Sequence, residues 1–127
     1  MKTKLYVSGP MSGRENYNQE AFEEAATVLK QLGYHPVTPF DLDTVEPVAY
    51  HEWIPNMKRD IKYLVTMDGV LVIDGWEDSK GATLEVAIAN KLEIPIYRLD
   101  DDGFLNEVRI NTTVDTYEYT PEVWENN

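Results

Sequence analysis

The sequence predicts an α/β domain, a three-layer sandwich with a mostly parallel sheet of four to five strands between helices. Three observations carry that prediction. Short apolar runs at 5–8, 34–38, 68–73 and 94–99 alternate with runs of helical period. The run at 69–73 is apolar at consecutive positions, as a central parallel strand covered on both faces requires. Finally, 127 residues of which 43% are hydrophobic can bury one core, so residues 1–127 read as a single domain.

Taken in order, 5–8 is the first strand, and Gly9-Pro10 opens a glycine loop that closes at Gly13. Asn16 or Asn18 can cap the next helix, where Phe22, Ala25, Ala26, Leu29 and Leu32 recur at helical spacing and Gly33 is the stop. Residues 34–38 form a second strand; Pro36 has no N–H for a ladder, so this strand belongs at a sheet edge. Residues 39–50 show no period and are expected to be a loop or lid. Trp53, Met57, Ile61 and Leu64 mark a second helix, with Pro55 tolerated in its first turn. After the 68–73 strand, 81–92 is a third helix, 94–99 a fourth strand and 100–103 a turn, and 112–119 is a candidate final strand. Right-handed crossovers then bring the links 8–16 and 75–81 to one crevice at the carboxyl ends of the strands, a flavodoxin-like arrangement.

Composition removes several function classes. The 23 acidic residues against 11 basic ones give a net charge of -12, which repels nucleic acid polymers. There is no cysteine, and His35 and His51 alone are a poor basis for a metal site, so neither metal nor cofactor is expected. The opening residues reach Gly9-Pro10 too soon for the core of a signal peptide, and no run has the length of a membrane span, so a cytoplasmic setting without membrane contact is expected. A small phosphorylated ligand stays compatible with the acidic chain, because backbone amides bind anions locally.

Glu85 is the one charged residue between Gly81 and Ala89. Its neighbours three and four positions away are Gly81, Ala82, Ile88 and Ala89, so it has no helical salt partner, and its position does not suit a capping box. An ionisable group on an apolar helix is costly unless something useful faces it, so Glu85 is read as the chemical centre. The dipole at the helix start is expected to keep it ionised. Ser79 serves either as a plain N-cap or as a phosphate ligand. The loop at 9–13 lacks the glycine spacing of dinucleotide and nucleotide-triphosphate loops, and is either an ordinary turn or an amide nest in which Ser8, Ser12 and Arg14 hold an anion. Taken singly, Tyr6 reads as a packed aromatic, and Asp60, between Arg59 and Lys62, as part of a solvated charged face.

Together, Tyr-Val-Ser-Gly-Pro-Met-Ser-Gly at 6–13, Met-Lys-Arg-Asp-Ile at 57–61 and Gly-Trp-Glu-Asp-Ser-Lys-Gly-Ala-Thr-Leu-Glu at 75–85 resemble the nucleoside 2-deoxyribosyltransferase-like superfamily. Within it the chain is most similar to a phage and bacterial branch, DUF4406. The resemblance implies that Tyr6, Asp60 and Glu85 surround a deoxyribose. By that resemblance Glu85 would attack the anomeric carbon, Asp60 would assist proton transfer or hold the substrate, and Tyr6 would orient the nucleophile. Six residues before Glu85, where the nucleoside transferases have aspartate, this chain has Ser79, as the deoxynucleoside 5'-monophosphate N-glycosidases do. That implies a phosphate held by Ser79, Gly81 and the loop of Ser8, Gly9, Met11, Ser12, Gly13 and Arg14.

The expected activity is therefore cleavage of the N-glycosidic bond of a 2'-deoxynucleoside 5'-monophosphate, by hydrolysis or base transfer, in a bacterial cell or a phage-infected host. The alternative is non-catalytic capture of a nucleotide or nucleotide-derived signal. The resemblance also implies a homodimer or higher homo-oligomer, although no match to the residue that relatives contribute across the interface stands among Asn111, Thr112 and Thr113.

Overall fold

Alternation along the two central strands sorts the core into two layers. In β1 (Lys4–Ser8), Leu5 and Val7 point to one side and Tyr6 and Ser8 to the other. In β3 (Gly69–Val72), Leu71 joins the first set while Val70 and Val72 join the second. The computed structural model, which describes residues 2–49 and 52–110, pairs these strands in parallel with Tyr6 opposite Val70 and Ser8 opposite Val72.

The remaining strands are β2 (His35–Val37), β4 (Ile96–Leu99) and β5 (Leu105–Val108). The sheet runs β2-β1-β3-β4-β5, parallel except for β5, which pairs antiparallel with β4. β2 is an edge, as Pro36 requires. This is the flavodoxin-like strand order, and the chain reverses direction across the sheet between β1 and β3, where ligands bind in such folds.

One layer is α1 (Gln19–Gln31), which lays Phe22, Ala25 and Leu29 on Leu5, Val7 and Leu71. Gly33, at φ 93°, ends it in the left-handed region that favours glycine. Asn18 takes the N-cap position but does not cap by its side chain; its Nδ2 donates to the Pro10 carbonyl at 3.0 Å. The opposite layer consists of α2 (Pro39–Val45), α3 (Trp53–Leu64) and α4 (Lys80–Lys91). They bury Leu42, Leu64, Val86 and Ala89 against the Tyr6, Val70 and Val72 side of the sheet.

Two elements differ from the sequence-based expectation. Residues 39–45 are not a loop but α2, started by a reciprocal capping box: the Asp41 amide donates to Thr38 Oγ1 at 3.1 Å and the Thr38 amide to Asp41 Oδ2 at 2.9 Å. Pro39 at the first helical position adds a preset φ. A strand the sequence did not predict is β5 at Leu105–Val108; Asp100 Oδ1 accepts from the amides of Asp102 and Phe104 and so builds the turn that returns the chain. The strand expected at 112–119 lies outside the described residues.

Candidate active site

Ala82, Glu85, Val86 and Ala89 form the buried stripe of α4, at the i, i+3, i+4, i+7 spacing that one helix face presents. The carboxylate is therefore carried into the core by its own helix, and Glu85 is only 4% exposed. Tyr6 and Ser8, two residues apart on β1, share the strand face that meets it. Tyr6 Oη donates to Glu85 Oε2 and Ser8 Oγ to Oε1, both at 2.7 Å. Burial pushes the Glu85 carboxyl up to about 7, against the lowering effect of those two donors, and negative charge on Asp60 adds to the rise. This departs from the expectation that the helix dipole keeps it ionised: Glu85 stands beyond the first turn, where that field has faded.

Asp60 lies in line with Met57 and Leu64 on the inner stripe of α3 and is 5% exposed, so it belongs to no solvated face. Its neighbour Arg59 is 3% exposed and explains how a carboxylate survives there. Arg59 Nε donates to Asp60 Oδ1 at 3.0 Å and Nη2 lies 2.9 Å from the same oxygen. Nη1 reaches Asp43 Oδ1 at 2.6 Å and the Glu46 carbonyl at 3.3 Å, and Nη2 also reaches the Pro39 carbonyl at 3.3 Å. The guanidinium thus ties α3 to both ends of α2. Burial raises the Asp60 carboxyl to about 6, with Arg59 opposing the rise. Burial likewise holds the Tyr6 phenol well above its ordinary value, helped by the two carboxylates, so it is a hydrogen-bond donor at any physiological pH.

A consequence for stability follows. Both carboxyl groups keep their protons to higher pH folded than unfolded, near 7 against 4.5 for Glu85 and near 6 against 3.8 for Asp60. Between those limits the native state binds more protons, so stability is highest at the acid end and falls as pH rises through the window. The urea midpoint is expected to drop between pH 5 and pH 8. In Glu85→Gln the loss of unfolding free energy over that pH range should be smaller by on the order of 2–3 kcal/mol, since no charge is then forced into the core.

Above Glu85 opens a crevice of about 270 Å³ between the loop after β1, α2, α3 and the start of α4. Gly9, Met11, Ser12 and Gly13 line one side, as do Ser79 and Gly81. Asp60 and Glu85 form part of its floor. Gly9 is needed for packing, because a Cβ there would fall 2.2 Å from Ile73 Cγ1, and Gly13 turns the loop at φ 76°. Ser79 caps α4 by accepting from the Ala82 amide at 3.1 Å, which leaves its hydroxyl proton for a ligand. The first-turn amides of Lys80 and Gly81 have no partner within the helix, and the dipole there favours an anion.

Two expected anion ligands stand elsewhere. Ser8 is fully buried beneath Glu85, with its hydroxyl committed to that carboxylate. Arg14 does not line the crevice; its guanidinium packs over Gly75, where a Cβ would come 2.8 Å from Nη2. Arg59 and Asp43, by contrast, were not anticipated as site residues. Their signal was weak, since the Arg-Asp pair at 59–60 looks like any surface charge pair until α2 is recognised as a helix. Among the described residues no cluster of three or more His, Asp or Glu could hold a metal, and no helix is long and apolar enough to cross a membrane.

Strand order and switch-point crevice define a flavodoxin-like α/β protein with a pair of buried carboxyl groups in the crevice. Among solved structures, the 2-deoxyribosyltransferase of the psychrotolerant bacterium Bacillus psychrosaccharolyticus is similar at a TM-score of 0.59 and 20% sequence identity, over 76% of this chain and 72% of that one. The family model described as Domain of unknown function (DUF4406) matches residues 3–98, and the chain belongs to that family. No curated protein sequence matches it.

Proposed function

We propose that the protein cleaves the N-glycosidic bond of a 2'-deoxynucleoside 5'-monophosphate through a covalent glutamyl-deoxyribosyl intermediate. The observation that carries this reading is the Glu85 carboxylate, buried beneath an open crevice, held by two hydroxyl donors and faced by a second carboxyl group. The fold shared with a named 2-deoxyribosyltransferase supports chemistry at the same bond.

In the first step a Glu85 oxygen forms a bond to C1' while the C1'–N bond breaks and its electron pair leaves with the base. Asp60 delivers the proton that the departing nitrogen takes up, in the fraction of the protein in which Asp60 (about 6) is protonated and Glu85 (about 7) is ionised. In the second step Asp60 accepts a proton from water, the oxygen bonds to C1', and the ester to Glu85 breaks with net retention. A second base in place of water gives transfer. The phosphate is held by Ser79, the first amides of α4 and the 9–13 loop, where an aspartate in place of Ser79 would repel it.

Incubation with a panel of common and modified deoxynucleotides should release free base, and addition of a second base separates hydrolysis from exchange. Intact nucleotide throughout, together with saturable binding by calorimetry, would instead favour ligand capture. One observation favours that second reading: both Glu85 oxygens already accept a hydrogen bond and the carboxyl is raised to about 7, which reduces the ionised nucleophile at neutral pH.

Tyr6→Phe separates these roles. Because the Tyr6 donor lowers the Glu85 carboxyl, its loss should move the acid limb of the rate profile to higher pH, with kcat near pH 7 down by about tenfold and KM little changed. An unshifted limb would remove Tyr6 from the mechanism.

A further inference from the structure

The crevice has two chemically different ends. Toward α4 and the 9–13 loop it offers donors: the Ser79 hydroxyl and the open first-turn amides. Toward α2 and α3 the balance is the reverse. Arg59 is the cation lining that end, yet all three of its guanidinium nitrogens are engaged within the protein. Nε is on Asp60, Nη1 is on Asp43 and the Glu46 carbonyl, and Nη2 is on Asp60 and the Pro39 carbonyl. Its charge is turned inward, to Asp43 and Asp60.

Two neighbours at this end are left with acceptors. Asp43 uses Oδ1 for Arg59, and its side chain is 38% exposed at the crevice wall, so Oδ2 is the atom it can offer. Asn56 donates from Nδ2 to the Ala49 carbonyl at 3.2 Å and the Glu52 carbonyl at 2.5 Å. Since both partners are carbonyl oxygens, the amide orientation is fixed, and Oδ1 is what remains. Phe40, Trp53 and Met57 line the same crevice with flat and polarizable surface suited to a planar ring, Trp53 and Met57 reaching across to Gly81 of α4.

We infer that Asp43 and Asn56 read the base, and that the substrate carries one with an exocyclic amine, cytosine, adenine or guanine, in preference to thymine or uracil. The inference rests on the nucleotide reading above and names its substrate class. With the phosphate drawn to the donor end, the base lies at the acceptor end. Cytosine and adenine present an amine there, and guanine presents adjacent N–H groups that fit one carboxylate. Thymine and uracil present carbonyls on either side of their single N–H, and these face carboxylate and amide oxygens without a proton between them. A site built to pair with a donor rejects an analogue that lacks it more strongly than a merely apolar pocket does, because its own polar groups are left unpaired.

The test measures binding without turnover. Calorimetry on Glu85→Gln with the 5'-monophosphates of deoxycytidine, deoxyadenosine, deoxyguanosine, thymidine and deoxyuridine should give a Kd for at least one amino-bearing base lower by about tenfold or more than for either oxo base. In Glu85→Gln/Asp43→Asn, whose amide can offer a donor, the preference should shrink to about threefold or less. The readout is a ratio between bases on one protein, so a general loosening of α2 leaves it unmoved. Equal or inverted affinities overturn the inference, as does a ratio unaffected by Asp43→Asn, or no binding by any of the five. Base release by the unmodified protein is scored separately: clear discrimination in binding with no release from any nucleotide would sink the glycosidase reading and leave the base reading standing.

Discussion

Glu85→Gln is expected to abolish base release, by at least about 10³-fold, while the nucleotide still binds. The amide keeps the shape and one acceptor for Tyr6 or Ser8, so the crevice stays built, but it cannot form the ester to C1'. The double hydrogen bond from Tyr6 and Ser8 makes the substitution informative: those two donors, at 2.7 Å each, would orient the carboxylate whether or not it attacks. Rapid quenching should also trap a protein species heavier by one deoxyribosyl phosphate in the unmodified protein and none in the variant. Turnover that survives Glu85→Gln would show that the bond breaks by another route.

Arg59→Met should be the most destabilising single change at the site, at about 3–5 kcal/mol in urea unfolding. It leaves Asp60, 5% exposed, without its counter-ion, and strips partners from Asp43 and from the carbonyls of Pro39 and Glu46. The loss should be larger at pH 8 than at pH 5, because without the guanidinium the Asp60 carboxyl rises above about 6 and its ionisation costs more. Arg59→Lys retains the charge but cannot span acceptors on three sides with one ammonium, so an intermediate loss is expected. A variant within about 0.5 kcal/mol of the parent at both pH values would mean that the α2–α3 tie is not held by this residue.

The fold was largely legible because its signals are local. Consecutive apolar residues at 69–72, helical spacing from Phe22 to Leu29 and from Met57 to Leu64, the stop at Gly33 and the edge proline at 36 each act within a few residues of themselves. α2 was missed although Thr38-Pro39 and Asp41 are a readable start signal, because seven residues are too few to show a period. β5 was missed because its pairing is with β4 and not with anything in its own run.

Sequence by itself determined that Glu85 is an anomaly: an ionisable group on a helix stripe with no partner within reach of that helix. It also carried the resemblance that linked Glu85 to Tyr6 and Asp60. Only the tertiary structure decided which groups attend it. The register that sets Tyr6 opposite Val70 and Ser8 opposite Val72 turns both hydroxyls to α4, so Ser8 becomes a support for the carboxylate instead of an anion ligand, and Arg14 faces Gly75 instead of the crevice. Asp60 could not be told from a surface acid, because burial depends on what another element covers. Its sequence neighbour Arg59 neutralises it, but α2 covers the pair only through contacts such as Arg59–Asp43 and Arg59–Pro39, 16 and 20 positions apart in the chain.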